Sequence, residues 1–360
     1  MKMPEWPGMT VSRARAVFGS GFRYGPGAGA EWALFALVPL AMIVCLGLGR
    51  IALSPAEVMS ALFTASGLTE GAPSLHQTVI MNARLPRMLA AACTGAGLGC
   101  AGAVLQGIFR NPLVGPQTIG VLSGAGLGGS LMIFLGAGPL LMLASAFGFG
   151  FVAVLLAMLL ARMGGTISIL MLVLAGIVIS AFCAALTTML QFFADPERQL
   201  PHLVFWLMGS FAQVRAFDVW WVFLVILPTI ILLIGHAGLI DILASGDDEA
   251  EAMGVPVARL RRRLLLLVAA ICAAVVSIAG IIGWVGLIVP HLARFIVGTG
   301  HRAVLPASAA LGAAFLVCID TFCRTATAAE FPIGAVTALI GAPLFMALLW
   351  RSKSREWSHD

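Results

Sequence analysis

Long uncharged apolar stretches follow one another along most of the chain, separated by short polar segments. A helix needs about 20 apolar residues to cross about 30 Å of hydrocarbon. A charge at its centre costs about 3 kcal/mol or more, so charged residues mark the ends of candidate spans. The pattern predicts ten spans, of which two share the interval 110–162 and two share the interval 263–298. The other six lie within 31–50, 87–110, 162–195, 218–241, 302–320 and 330–351.

The two longer intervals contain glycines and a proline at which a helix is expected to break. The first break is predicted at residues 136–139, Gly-Ala-Gly-Pro, and the second at residues 283–286, Gly-Trp-Val-Gly. The span after the second break is short and ends near Gly298. The pattern therefore predicts an all-α integral membrane protein with about ten transmembrane helices.

Composition supports this class. Of the 360 residues, 60% are hydrophobic and only 10% are charged, whereas a soluble domain has about 25% charged residues. The mean hydropathy is +1.03. These values exclude a water-soluble enzyme and a disordered chain.

The distribution of positive charge predicts the orientation. With ten spans and both termini in the cytoplasm, fifteen of the 21 Lys and Arg residues lie inside and six outside, as the positive-inside rule requires. We expect cytoplasmic tails at 1–30 and 352–360, a transmembrane domain at 31–351, and a charged cytoplasmic segment at 240–263.

The sequence carries no pattern typical of a catalytic, metal or nucleic-acid site. The G-x-G-x-x-G match at 124–129 lies in an apolar run, so we interpret it as helix packing and not as a dinucleotide fingerprint. No two histidines are three or four residues apart, and no cysteines form a C-x-x-C pair, so no metal site is predicted. Basic and aromatic residues are not interleaved, which argues against nucleic-acid binding. No phosphate-binding G-x-x-x-x-G-K-[ST] loop occurs either, so ATP would have to be hydrolysed on another subunit.

Three polar features have a functional and a purely structural interpretation. The stretch 246–263 places acids first and arginines last, punctuated by Gly254 and Pro256. It predicts two short helices, which form either a solvated loop or a docking element. The turn at 109–116 is either a connector or a gate at the cytoplasmic mouth. Arg84, Arg87 and Arg324, at outer span ends, either snorkel to the interface or receive carboxylates from a soluble partner.

Several stretches occur together in an order that is typical of one family. They are RLPR (84–87), Gln106, NPL (111–113), the glycines at 120–128, LAG (174–176), EAMGV (251–255), GLIVPH (286–291), HR (301–302), LP (305–306), EFPIG (330–334) and GAP (341–343). From about residue 30 to residue 351, the chain resembles the FecCD-like permeases of type II ABC importers, which take up ferric siderophores, haem and vitamin B12.

The resemblance implies partners and an architecture. Such permeases have ten helices per subunit, form homodimers with the translocation path at the interface, and lie in the bacterial inner membrane. Two ATPase subunits, which hold ATP and Mg²⁺, bind on the cytoplasmic side, and a periplasmic substrate-binding protein docks outside. The permease itself binds no cofactor and catalyses no reaction.

The resemblance also implies roles for particular residues. Arg84, Arg87 and Arg324 would engage acidic residues of the binding protein, which favours the docking interpretation of these arginines. A lower cytoplasmic gate would include Asn111 and Leu113, and a second gate would include Thr166 and Ser168. The residues expected to contact the ATPase are Asp247, Asp248, Glu249, Glu251, Met253, Gly254 and Val255.

The functional hypothesis is ATP-driven import of an iron chelate, either a siderophore or haem, or of cobalamin. The alternative is a secondary transporter driven by an ion gradient. Such a carrier usually has ionisable groups and broken helices at the bilayer midplane. Neither feature is evident, since Asp320 lies near a predicted span end.

Overall fold

The computed structural model describes residues 28–49, 51–65, 75–162, 169–327 and 329–356. Every regular element within these ranges is helical. The helices are α1 Ala28–Gly47, α2 Pro55–Ala65, α3 Leu75–Phe109, α4 Val121–Phe134, α5 Pro139–Arg162, α6 Ile169–Phe193, α7 Gln199–Leu207, α8 Ala216–Gly235, α9 Ala237–Ser245, α10 Asp247–Ala252, α11 Val257–Ala279, α12 Val285–Val297, α13 His301–Thr325 and α14 Ile333–Glu356.

The all-helical membrane class is confirmed. Among the described residues, the six helices α3, α5, α6, α8, α11 and α13 are long and apolar enough to cross a bilayer. Apolar helices of 10–17 residues occur at Ala33–Gly47, Val121–Phe134, Val285–Val297 and Ile333–Ala347. Both breaks are found where the glycines predict them, because α5 begins at Pro139 and α12 begins at Val285. The number of ten crossings stays a prediction.

Several predicted span boundaries are wrong. Helix α3 begins at Leu75, so Arg84 and Arg87 lie inside a helix of 35 residues and not at its end. Helix α13 continues to Thr325 and therefore includes Asp320. These charges are tolerated inside helices because they are paired with other groups of the chain, as described below. The interval 218–241 divides at His236 into α8 and the separate helix α9.

Two short helices, α2 and α7, were not predicted. Helix α2 begins with a capping box, in which the Ser54 backbone N–H and hydroxyl donate to Glu57 Oε2 over 2.7 and 2.8 Å. The Glu57 backbone N–H in turn donates to Ser54 Oγ over 3.3 Å. The hydrogen bond from the Ser54 backbone lowers the pKa of the exposed Glu57 carboxyl.

Helices α3, α11 and α13 lie at the centre of the molecule, and small residues bring their backbones together. A Cβ on Gly95 would lie 2.0 Å from the Gly312 carbonyl oxygen of α13. A Cβ on Gly102 would lie 1.7 Å from the Gly286 carbonyl oxygen of α12. The glycines at 124–129 also pack against neighbours, since a Cβ on Gly128 would lie 2.5 Å from the Ser145 carbonyl oxygen of α5. The interpretation of that motif as helix packing is confirmed.

The closest approach gives a stability prediction. In Gly102→Ala, the added methyl group meets backbone atoms of Gly286 in α12, which cannot move aside as the end of a flexible side chain could. We expect the free energy of unfolding to fall by about 1–3 kcal/mol, measured as a lower thermal unfolding temperature in detergent. Gly148→Ala in α5 is the matched control, because nothing lies within 4 Å of the new Cβ. Equal stability of the two variants would contradict the packing assignment.

Candidate docking and coupling sites

Helix α3 joins two polar regions at opposite ends of the molecule. Arg84 and Arg110 are 26 positions apart, and a helix rises about 1.5 Å per residue, which separates them by about 39 Å. This distance matches the thickness of a bilayer with its interfaces. By the predicted orientation, Arg84 marks the outer end and Arg110 the cytoplasmic end.

The outer end contains a cluster of charged side chains, here called the outer cluster: Arg84, Arg87, Asp320, Arg324 and Glu330. Arg87 Nε donates to Asp320 Oδ1 over 2.9 Å, and its Nη2 donates to the same oxygen over 2.8 Å. Arg87 Nη1 and Nη2 also donate to both oxygens of Glu330, over 3.0 and 2.9 Å. The Asp320 side chain is fully buried, whereas Glu330 is 25% exposed. Arg87 therefore joins α3 to α13 and to the turn that precedes α14.

The backbone holds this arrangement in place. A π-helical turn over Ile80–Arg84 interrupts α3 between its α-helical parts Leu75–Val79 and Leu85–Phe109, and such turns often occur at functional sites. The turn carrying Glu330 is fixed by backbone hydrogen bonds from Phe331 to Cys323, over 3.1 Å, and from Ile333 to Gly209, over 3.0 Å. Glu330 is thus positioned by main-chain contacts of the residues that follow it.

Arg84 and Arg324 bind backbone carbonyl groups at the end of α1. Arg84 Nη1 donates to Leu46 O over 2.6 Å, and Arg324 Nη2 donates to Cys45 O over 2.7 Å. Both side chains are nearly buried, at 6% and 9% exposure. Together with Arg87 and Glu330 they line a cavity of about 360 Å³. All three predicted docking arginines thus already have partners within the chain, and their docking role stays a prediction.

The cytoplasmic end contains the coupling segment, residues 240–263. Asp247, the first residue of α10, accepts hydrogen bonds from Arg261 Nη2 at both carboxylate oxygens, over 2.8 and 2.9 Å. Arg110 Nη2 lies 3.4 Å from the same Asp247. Within the segment, the Ala250 and Val255 side chains are buried. Helix α10 is therefore anchored by charge to Arg110 at the end of α3 and to Arg261 of α11, and to the core by apolar contact.

The predicted coupling residues divide by exposure. Asp247 is half-buried and Val255 is buried, and the exposed residues are Asp248, Glu249, Glu251, Met253 and Gly254. Gly254 has φ +80°, a conformation that favours glycine, and its N–H donates to Glu251 O over 2.8 Å. Two helices are present as predicted, α10 and α11. The prediction that both are short is wrong for the second, because α11 is 23 residues long and continues to Ala279.

Only part of the predicted gate lies within the described residues, because Thr166 and Ser168 fall outside them. Asn111 and Leu113 are exposed, and Asn111 Oδ1 accepts the Leu113 backbone N–H over 2.9 Å. This contact forms an Asx turn. His291 Nε2 lies 3.1 Å from Pro112 O, which joins α12 to the turn. The geometry gives the turn a defined shape but does not test its role as a gate.

Two polar contacts of the cytoplasmic half were not predicted. Gln106, buried in α3, accepts a hydrogen bond from Arg294 and donates to Leu287 O over 3.2 Å. Asp241 of α9 contacts His301 at the start of α13. Isolated polar residues inside apolar runs were the available signal, since such residues seek partners in a membrane. Within the described ranges, no group of three or more His, Cys, Asp and Glu residues could hold a metal ion.

Comparison with known proteins gives consistent matches over most of the chain. The model of the FecCD transport family matches residues 37–351. The molybdate import permease MolB of Haemophilus influenzae is 41% identical over 317 residues, which are 88% of this chain and 94% of that protein. The hemin transport permease HmuU of Yersinia pestis is 40% identical over 76% of this chain and 84% of that protein.

A solved structure gives the same result for the fold. A metal-chelate type ABC transporter in an inward-facing conformation superposes with a TM-score of 0.81 at 40% sequence identity. The match covers 89% of this chain and 98% of that one.

Proposed function

The chain belongs to the FecCD transport family, and we propose on this basis that it forms the homodimeric channel of an ATP-driven importer for an iron chelate, either a siderophore or haem, or for cobalamin. Family membership alone gives the coarser statement: the chain is an integral inner-membrane permease subunit of an ABC importer for metal chelates, haem, vitamin B12 or molybdate, and it is not an enzyme. This membership argues against the alternative of an ion-gradient-driven carrier.

The observation that carries the proposal is the construction of the coupling segment. Helix α10 exposes Asp248, Glu249 and Glu251 to the cytoplasm by the predicted orientation, while Ala250 is fully buried beneath them. A short helix that exposes a polar face, and whose opposite face is fixed in the core, is suited to contact a separate subunit that moves. In the proposed cycle, two ATPase subunits bind ATP and Mg²⁺, close, and displace this segment in both protomers. The substrate, delivered by a periplasmic binding protein, then crosses without chemical change.

The surface of α6 supports a chelate as the substrate. Residues 169–193 include no charged side chain, and Ile177, Val178 and Phe182 are exposed on the subunit. We propose that this face borders the path between the two protomers. An organic ligand that encloses its metal loses less hydration free energy when it passes an apolar wall than a small dianion such as molybdate does.

Molybdate is the second candidate. It is favoured by one observation, the 41% identity to the Haemophilus influenzae permease over 88% of this chain. The apolar α6 face and the relationship to that permease therefore make opposite predictions about the substrate.

Uptake into proteoliposomes distinguishes these substrates. The permease would be reconstituted with its ATPase and its binding protein, and tested with radiolabelled ferric siderophore, haem, cobalamin and molybdate. We expect uptake of a chelate that requires Mg-ATP, stops with vanadate and survives an uncoupler. Uptake of molybdate alone would overturn the chelate assignment. Accumulation by the permease without its ATPase would overturn the proposed function.

A further inference from the structure

A second polar contact lies at the start of the coupling segment, at Asp241, and joins two helices that are far apart in sequence. Asp241 Oδ1 accepts the His301 backbone N–H over 2.8 Å and lies 2.6 Å from His301 Nδ1. A carboxylate oxygen only accepts, so Nδ1 carries the hydrogen that is donated to it. The His301 side chain is 6% exposed and Asp241 is 21% exposed. The two hydrogen bonds are therefore largely shielded from water, where such bonds are stronger.

One side of this contact leads directly to α10, the short acidic helix of the coupling segment. Helix α9, which carries Asp241, is fixed in the core by Ala237, Ile240 and Leu243, all buried. The chain turns at Gly246, five positions after Asp241, and enters α10. Any displacement of α10 therefore acts on α9 within a few residues.

The other side leads to the outer cluster. His301 is the first residue of α13, and Asp320 and Arg324 lie near the last turn of the same helix. Between the two ends, α13 is packed against α3 by backbone contact: Gly95 meets Gly312, and a Cβ on Gly99 would lie 2.3 Å from Ser308 O. Packing without side chains between the backbones leaves little room for one helix to slide past the other. Helices α3 and α13 are thus joined at the outer end by Arg87 and Asp320 and along their length by backbone contact.

We propose that the Asp241–His301 contact, here called the joint, transmits movement of the coupling segment to α13 and through it to the outer cluster, with His301 as a positioning residue. The inference rests on the proposed function. If Asp241 only capped the N-terminus of α13, the hydrogen bond from the His301 backbone would be enough. The second hydrogen bond, from His301 Nδ1, therefore distinguishes the joint from a simple helix cap. It fixes the direction in which α9 meets α13, because two donors on one residue hold a single carboxylate oxygen.

Gly107 of α3 makes room for the histidine. A Cβ at Gly107 would lie 2.6 Å from His301 Nε2 and 2.8 Å from Ile240 Cγ2. Nε2 itself has no hydrogen-bond partner among the described residues. The imidazole ring is thus held by a hydrogen bond to Asp241 on one side and by packing against Gly107 on the other. A methyl group at Gly107 should therefore disturb the joint although Asp241 and His301 are both still present.

The test uses substitutions of His301 that place a hydrogen-bond donor at different distances from the backbone. In His301→Asn, the side-chain amide nitrogen replaces Nδ1, whereas in His301→Gln it lies farther out, near the position of Nε2. The readout is the ratio of ATP hydrolysis with and without the loaded binding protein, and the substrate transported per ATP. We expect His301→Asn to keep both values, and His301→Gln and His301→Ala to lower them at least about fivefold, the lower range of measured allosteric couplings.

A merely structural role would give the opposite order, because glutamine is closer than asparagine to histidine in size. Better coupling in His301→Gln than in His301→Asn would therefore overturn the proposal. As a second variant, Gly107→Ala should also lower the ratio. Gly235→Ala is its control, because nothing lies within 4 Å of the added Cβ. An unchanged ratio in Gly107→Ala would equally count against the joint.

A measurement on the permease alone separates this proposal from the proposed function. Hydrogen–deuterium exchange in detergent should be faster across residues 246–255 in His301→Gln than in His301→Asn, because α9 loses its fixed attachment to α13. Equal exchange in the two variants would overturn the joint. Failure of the unmodified complex to transport would overturn the proposed function and would leave this exchange result intact.

Discussion

Replacing Arg87 with methionine should lower the free energy of unfolding by about 3–5 kcal/mol, because it leaves a buried carboxylate without its counter-ion. The Asp320 side chain is fully buried, and Arg87 donates three hydrogen bonds to it, over 2.8, 2.9 and 3.0 Å. Asp320→Leu should cost less, because Arg87 keeps its two hydrogen bonds to Glu330. The loss would be measured as lower thermal stability and lower yield of monodisperse protein in detergent.

The double variant Arg87→Met/Asp320→Leu tests the cause of this loss. Removing both charges leaves no fully buried carboxylate without a counter-ion, and Glu330, which loses Arg87, is 25% exposed. The double variant should therefore be more stable than Arg87→Met. Glu330→Gln is the control, since that side chain is 25% exposed and its charge stays partly hydrated. If the two losses simply add, the ion pair does not explain them.

The same double variant addresses docking. If it folds and still binds the periplasmic protein with unchanged affinity, Arg87 has no docking role. If it folds and binds more weakly, the arginine serves both stability and docking. Stability and docking are thereby measured on one protein whose charge balance inside the cluster is largely preserved.

The apolar pattern predicts much of the fold because a bilayer leaves few alternatives to helices. It locates the breaks before Pro139 and Val285, since glycine and proline punctuate the chain there. It is wrong at Arg84, Arg87 and Asp320, which it places at or beyond span ends. The rule that charges end spans fails here because Arg87 pairs with Asp320, 233 positions away, and sequence spacing does not reveal such a partner.

Shorter features depend on local chemistry that a search for spans overlooks. Ser54 and Glu57 flank a proline at the first position of α2, a typical start signal for a helix. This signal is present in the sequence but lies outside any long apolar run. The Asp241–His301 contact is different in kind. It depends on how α9 meets α13, 60 positions further along, so it becomes visible only in three dimensions.

Replacing residues 249–254 with a Gly/Ser linker of equal length should abolish stimulated ATP hydrolysis and uptake. The native segment has a fixed shape: Val255 N–H donates to Ala250 O over 2.9 Å, and Ala250 is fully buried. A Gly/Ser linker behaves as a flexible coil and does not hold a surface in place. We expect the stimulated-to-basal ratio of ATP hydrolysis to fall at least about tenfold, within the range of measured couplings.

The control replaces Asp195, Glu197 and Arg198 with serine, because these exposed residues belong to the predicted outer side between α6 and α7. Serine removes their charges and leaves the coupling segment untouched, so stimulation should stay unchanged.

Binding of the ATPase to the linker variant is measured separately by co-purification. Lost binding and lost stimulation would mean that α10 holds the ATPase, whereas retained binding with lost stimulation would mean that it only transmits movement. A linker variant that still imports substrate at the normal rate would show that the ATPase acts on the permease elsewhere, and the coupling role of residues 247–255 would be wrong.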